Sequence, residues 1–158
     1  MRIEVVQGMP AVREASFGDM AVCADIFNDW VDETPWMPRV HSRTDVTGYY
    51  EDIVFKQQQV WVVDVEGSNF GFLSATDDFV TALYLHRDAR GRGFGKMLLD
   101  HVKLNGSAKL SLWAFEANTK APAFYRREGF VEVRRTTGEN EEGLPDILFC
   151  WAKPEVAV

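Results

Sequence analysis

Apolar residues recur at helical spacing from Met20 to about Val31, with Val22, Ile26, Phe27 and Trp30 repeating every three or four positions. Ser16 or Asp19 is placed to cap this helix, and Thr34-Pro35 ends it, because the residue before a proline avoids helical backbone. A short strand, Val12 to Ala15, precedes it. A second helix is predicted from just after Thr44 to about Lys56, across the loop Thr34 to His41. The period then changes from helical to alternating. Val60–Val65 and Phe70–Ala75 read as a hairpin around Glu66-Gly67-Ser68-Asn69, and Val80–His86 as a third strand. A helix from Phe94 to about Leu104, a strand Leu110–Phe115 and a helix Thr119–Arg127 follow, the last stopped by Gly129. Phe130–Thr136 and Ile147–Ala152 close the pattern, joined by the acidic loop Gly138 to Pro145. Helices interspersed with strands in this order predict a mixed α/β (α+β) domain.

The length of 158 residues suits one domain over 1–158, with its elements between about Val12 and Ala152. The formal net charge of -7 argues against a nucleic-acid partner, which needs an excess of Lys and Arg to neutralise phosphates. The two cysteines, Cys23 and Cys150, sit among apolar residues and read as reduced core side chains. Met1 to Pro10 has no long apolar run after a basic start, as a signal peptide would, and no stretch is apolar enough to span a membrane, so a cytoplasmic location is expected. His41, His86 and His101 have no metal-ligand spacing, and no metal is expected; His101 is expected at the helix surface.

The chemistry concentrates after the third strand, in Arg90-Gly91-Arg92-Gly93-Phe94-Gly95-Lys96. A glycine turn that opens a helix aims backbone N–H groups at one point, where the helix dipole adds about half a positive charge. That suits an anion such as a pyrophosphate. The spacing excludes two common nucleotide loops. A Walker A loop needs Ser or Thr where Met97 stands and Gly where Arg90 stands, and a dinucleotide loop needs a third Gly where Lys96 or Leu98 stands.

The pattern Arg-x-x-Gly-x-Gly resembles the acyl-CoA signature of the GNAT superfamily of N-acyltransferases. A second segment, Asn118-Thr119-Lys120-Ala121-Pro122-Ala123-Phe124-Tyr125-Arg126-Arg127-Glu128-Gly129-Phe130, resembles the same family one helix and one strand later. The resemblance runs from about Val12 to Ala152. It implies a GNAT-like fold, with a mostly antiparallel sheet of six or seven strands, flanked by about four helices and splayed between the strands ending near Leu85 and Phe115. It also implies acetyl-CoA as the acyl donor, with no metal.

Residue by residue, the resemblance puts the pyrophosphate on the backbone N–H groups of Arg90, Gly91, Arg92, Gly93, Phe94 and Gly95, with Lys96 at the helix start. Leu83, Tyr84 and Leu85 would pair with the pantetheine arm, and an N–H near Leu85 would polarise the thioester carbonyl, a role worth about 3–4 kcal/mol per donor. Asn118 and Tyr125 share one helix face with Pro122, and Tyr125 matches the position that protonates the departing thiolate. The amine must lose a proton before it attacks. Asp77 and Asp78 straddle the family's carboxylate position, and Glu116 ends the next strand, so these are the candidate bases, Asp78 and Glu116 foremost, with a fully water-mediated route as the alternative. Trp36, Met37, His41 and Tyr49 (with Tyr50 beside it) are candidates for the acceptor site. The expected reaction is direct transfer of an acetyl group to a small-molecule amine. A protein N-terminal or lysine acceptor, or a CoA-binding module without catalysis, are the alternatives. Dimers are frequent in the family, which leaves room for a homodimer.

Overall fold

The computed structural model describes residues 8–106 and 108–155. Most of Met1 to Pro10, the stretch read for a leader, lies outside them. The elements run β1 (Pro10–Glu14), α1 (Asp19–Glu33), α2 (Arg43–Tyr49), a π-helical turn (Tyr50–Val54), α3 (Phe55–Gln57), β2 (Gln59–Val65), β3 (Ser68–Thr76), β4 (Phe79–Leu85), a 3-10 turn (Arg87–Ala89), α4 (Phe94–Asn105), β5 (Lys109–Phe115), α5 (Lys120–Arg127), β6 (Val131–Thr136) and β7 (Asp146–Ala152). They build a mixed α/β fold around one seven-stranded sheet of order β1-β2-β3-β4-β5-β7-β6. Every neighbouring pair is antiparallel except β4 and β5.

The two-residue period of the strands divides the core between the two sheet faces. Val62 and Phe72 face one cluster, with Met20, Cys23, Ala24 and Ile26 of α1 and Val46 of α2. Their neighbours Val63 and Leu73 face the other, with Leu98, Leu99 and Val102 of α4 and Tyr125 of α5. All four of these adjacent strand residues are fully buried, so a register slip of one residue would exchange both faces at once.

The start of α1 differs from a simple side-chain cap. Gly18 occupies the cap position, and Asp19, the first helical residue, reaches back instead. Its carboxylate accepts from the Ser16 N–H at 2.8 Å and from both terminal nitrogens of Arg13 at 2.7 and 3.1 Å. Arg13 in turn donates to Asp64 at 2.7 Å, so one network ties α1 to β1 and β2. The second helix is interrupted. Ser42 caps it through the Asp45 N–H, and the backbone then widens into the π turn, which buries Tyr50 and Val54 against Phe72.

Burial alone pushes the Asp19 carboxyl up, but the Arg13 and Ser16 hydrogen bonds overcome this and hold it below the usual carboxylate range. A depressed folded-state value stabilises the fold above the unfolded value of about 3.9, and that gain is lost as pH falls through the folded value. Asp19→Asn should therefore be less stable than the parent at pH 7 in urea unfolding, and the gap should close progressively below about pH 4.

Candidate functional site

β4 and β5 pair at a single position, Phe79 with Ser111, and then part. The cause lies on the other side of β4. Val80 faces Ala75 and Ala82 faces Ser74, which leaves Thr81 as the extra residue of a bulge. A bulge bends its strand and increases the local twist, and this one turns β4 away from β5. The Thr81 hydroxyl holds the bend through Ser74 Oγ at 2.8 Å and Gln58 Oε1. β5 is meanwhile held along its whole length by β7. Beyond the closed end of this fork, the facing backbone edges of β4 and β5 have no strand partner in the sheet, and unpaired strand edges attract extended chains.

A groove of about 560 Å³ leads from α4 and α5 to the fork, lined by Leu83, Leu85, Gly91, Gly93, Phe94, Gly95, Lys96, Asn118, Phe124 and Tyr125 among others. Nine of the twelve residues expected to bind the donor line it, and Tyr84, Arg90 and Arg92 do not. Gly91 and Gly93 have φ of +76° and +82°, and nothing lies within 4 Å of where their Cβ atoms would be. The backbone there is open to a ligand. Gly93 is also the cap of α4 and has no side chain to offer the helix, and the first N–H groups of a helix have no intrahelical acceptor. Gly95 is glycine for a different reason, since a Cβ would come within 3.3 Å of the Phe124 ring that packs α5 against α4.

The cationic side chains of this loop are held by neighbours. Arg90 and Arg87 both reach Glu33 at the end of α1, at 3.3 and 2.8 Å. Arg92 donates to the Asp88 carbonyl at 3.3 Å, and Lys96 lies 3.2 Å from Glu128 and 3.1 Å from Asp100. These contacts engage the cationic side chains, while the backbone at Gly91 and Gly93 stays open.

Tyr125 is buried and its hydroxyl makes no hydrogen bond among the described residues. Burial raises its phenol above the ordinary value, so it stays protonated and able to donate. The Tyr84 phenol is also raised, first by burial and then by the nearby Tyr125 and Glu142. Alternation on β4 explains the arrangement, because Leu83 and Leu85 face the groove while Tyr84 faces α1. The two phenols approach each other through the open fork.

On that second face, four half-buried rings form a chain: Trp30 to Tyr84 at 5.1 Å, Trp30 to Trp36 at 5.7 Å, and Trp36 to Phe115 at 5.9 Å between centroids. Trp36 thus spans from α1 to the end of β5. Arg39 fixes the loop that carries it, donating to Asn28 Oδ1 at 2.9 Å and Asp32 Oδ1 at 2.8 Å. The other acceptor-site candidates are placed differently. Met37 is buried at 9% exposure, as a packing residue. His41 is exposed and lies 3.1 Å from Glu141. Tyr49 is 51% exposed, with its ring against Tyr50 and outside the chain of rings.

The candidate bases are not brought together. Asp78 stands at the closed end of the fork, its carbonyl accepting from the Ser111 N–H at 2.9 Å and its carboxylate 4.0 Å from Lys109. Leu85 lies seven residues further along β4, roughly 20 Å away at strand spacing, so Asp78 cannot reach an amine at the mouth. Glu116 is at the mouth but exposed, 3.4 Å from Arg135. The carboxylate that the sequence reading missed is Glu142, hidden in what looked like a uniformly acidic surface loop. It is half-buried between exposed Glu141 and Gly143. His101 is likewise not a surface residue, because its ring packs on Trp61 at 4.4 Å with Nε2 buried and unpartnered. Among the described residues, no group of three or more His, Cys, Asp or Glu could hold a metal, and no helix is long and apolar enough to cross a membrane.

Residues 56–132 match the family described as an acetyltransferase (GNAT) domain. Two relatives are named as peptidyl-lysine N-acetyltransferases. YjaB of Salmonella typhimurium is 36% identical over an alignment covering 52% of this chain and 54% of the relative, so the match spans about half the length of each. YiaC of Escherichia coli is 25% identical over 89% of this chain and 95% of the relative. Among solved structures, yncA from Salmonella typhimurium, determined with its cofactor acetyl-CoA, shares the fold with a TM-score of 0.73 at 20% identity, covering 96% of this chain and 98% of that one.

The buried phenols give a direct check. In a spectrophotometric titration, Tyr50, Tyr84 and Tyr125, all raised first by burial, should ionise at higher pH than in the urea-unfolded chain. Tyr125→Phe should remove one late-titrating group.

Proposed function

The chain belongs to the GNAT superfamily, and from that premise we propose that residues 1–158 act as one unit that transfers the acetyl group of acetyl-CoA to a primary amine by direct attack. The observation that carries this reading is the convergence of three features on one groove. These are an open-edged fork between β4 and β5, an α4 N-terminus with bare glycine backbone, and a buried phenol whose hydroxyl has no hydrogen-bond partner among the described residues.

Each feature has a chemical counterpart in the donor. The amides of Arg90 to Lys96 face the pyrophosphate, aided by the helix dipole. The free edge of β4 at Leu83, Tyr84 and Leu85 offers backbone partners to the amide-containing pantetheine arm, as a sheet edge does to an added strand. Asn118 sits beside this path, in the loop before α5. The Tyr125 phenol meets the sulfur. Its burial keeps it protonated well past neutral pH, and it hands a proton to the thiolate as the carbon–sulfur bond breaks. No covalent acyl-enzyme is required, because the only thiols, Cys23 and Cys150, are unpaired and outside the groove. Such reduced cysteines fit a cytoplasmic setting.

For the acceptor, two observations bear on the choice. The two relatives named as peptidyl-lysine N-acetyltransferases favour the side-chain amine of lysine. The contact of His41 with Glu141 closes the loop after α1 onto the loop before β7, which favours a small free amine. Both are primary alkyl amines and demand the same chemistry. Release of free thiol from acetyl-CoA, measured with a lysine peptide and with small alkyl amines, separates them by kcat/KM. Thiol release with neither would contradict the reading.

Gly93→Asp places a carboxylate where the phosphates sit and should weaken acetyl-CoA binding at least about 100-fold in calorimetry, with an unchanged circular dichroism spectrum. Tyr125→Phe should lower kcat by about 100-fold while the KM for acetyl-CoA stays within about threefold.

A further inference from the structure

The fork has two faces, and the donor groove occupies only one. The opposite face presents Trp30, Trp36, Tyr84 and Phe115, each half-buried, in a chain whose successive centroids are 5.1–5.9 Å apart. Glu142 stands in the loop between β6 and β7, close enough to the Tyr84 phenol to raise it, and this loop is pinned at two points. The Pro145 carbonyl accepts from the Glu116 N–H at 2.9 Å, and the Glu141 carboxylate lies 3.1 Å from His41. Within the loop, Asn140 Nδ2 bonds the Leu144 carbonyl at 2.8 Å and Asp146 at 3.0 Å. Glu142 is therefore carried on a fixed scaffold.

Among the described residues no cation pairs with the Glu142 carboxylate, whereas the nearby Glu116 and Glu141 meet Arg135 and His41. A half-buried carboxylate near the Tyr84 phenol, with no cation paired to it among the described residues, is incomplete, since burying a charge is costly unless it is paired. Ring faces attract ammonium groups, by an amount that grows when the site is partly dry.

We propose that this face binds the acceptor as a protonated primary alkyl ammonium, with its charge against Trp36 and its aromatic neighbours, and that Glu142 is the carboxylate that takes its proton. The inference rests on the acetyl-transfer reading above. The ammonium gives one proton to Glu142 and becomes a neutral amine. Its nitrogen forms a bond to the thioester carbonyl carbon as the bond to sulfur breaks. The second nitrogen proton balances the one Tyr125 gives to the thiolate, and Glu142 returns its proton to solvent. Burial raises the Glu142 carboxyl, which narrows the gap to the ammonium it must deprotonate. The groups facing it are Glu141 and Asp146 from its own loop and strand, His41 from the loop after α1, and Tyr84 from β4.

The test uses the full chain, acetyl-CoA, and n-butylamine, spermidine and a lysine tripeptide as probes, with thiol release as the readout. Glu142→Gln should lower kcat/KM for the amine by about 100-fold or more, flatten the acid limb of its pH profile, and leave the Kd for acetyl-CoA unchanged. Glu142→Asp should restore part of the activity. Trp36→Leu should raise the amine KM about tenfold with a similar kcat, and Trp36→Phe should restore it. A Glu142→Gln enzyme within twofold of the parent, with the acid limb unmoved, overturns the assignment and leaves acetyl transfer standing. So does loss of acetyl-CoA binding in that variant, which would make Glu142 a structural or donor-side residue. Absence of turnover by the parent with all three amines overturns the acetyl-transfer reading, and this inference with it.

Discussion

The parting of β4 from β5 is the constraint on which the rest of the molecule is built. One residue too many on β4, Thr81, cannot be absorbed by the ladder to β3, and the strand bends. The cost is two strand edges without partners in the middle of a sheet, where backbone polar groups are ordinarily satisfied. The return is a slot that passes through the sheet. Alternation along β4 gives the slot two chemically different sides. Leu83 and Leu85 line an apolar groove on the α4–α5 side, and Tyr84 joins an aromatic cluster on the α1 side. A donor and an acceptor can meet in such a slot without sharing a surface, which is the positioning that a ternary-complex transfer needs.

Charge follows the same division. The chain is acidic overall at -7, yet Arg87, Arg90, Arg92 and Lys96 gather around the glycine loop. Their side chains are tied to Glu33, Glu128, Asp100 and the Asp88 carbonyl, so they shape the loop and supply a local positive field, while the amides remain to make close contacts. The far mouth carries the opposite sign, with Glu116, Glu141 and Glu142. Such a field would draw a polyanionic donor to one side and the proposed cationic acceptor to the other.

Much of this was legible in the sequence, and the reasons are local. The two-residue period of Val60 to Val65 and Leu110 to Phe115, the stop at Thr34-Pro35 and the glycine turn before Phe94 are short-range signals, and the structure follows them to within one or two residues. The failures are long-range. The π turn at Tyr50–Val54 is set by burial against Phe72 across the sheet, which no spacing in the helix itself encodes. Asp78 was a candidate because, with Asp77, it straddles the family's carboxylate position, but the length of β4 puts it at the closed end of the fork. Tyr49 and Met37 were judged by residue type, whereas exposure separated them from Trp36. Glu142 was invisible among Glu139, Glu141 and its other acidic neighbours, because what distinguishes it is the contact between His41 and Glu141, a hundred residues apart in the chain.

The central claim is that the free edge of β4 and the amides at the start of α4 are the donor's binding surface. Residue-resolved amide hydrogen exchange on the full chain, with and without acetyl-CoA, tests it most directly. Exchange should slow at Leu83 to Leu85 and at Gly91 to Lys96 when acetyl-CoA is added, with little change along the exposed outer strand β6. Unchanged exchange at those amides, or protection confined to β6, would contradict it.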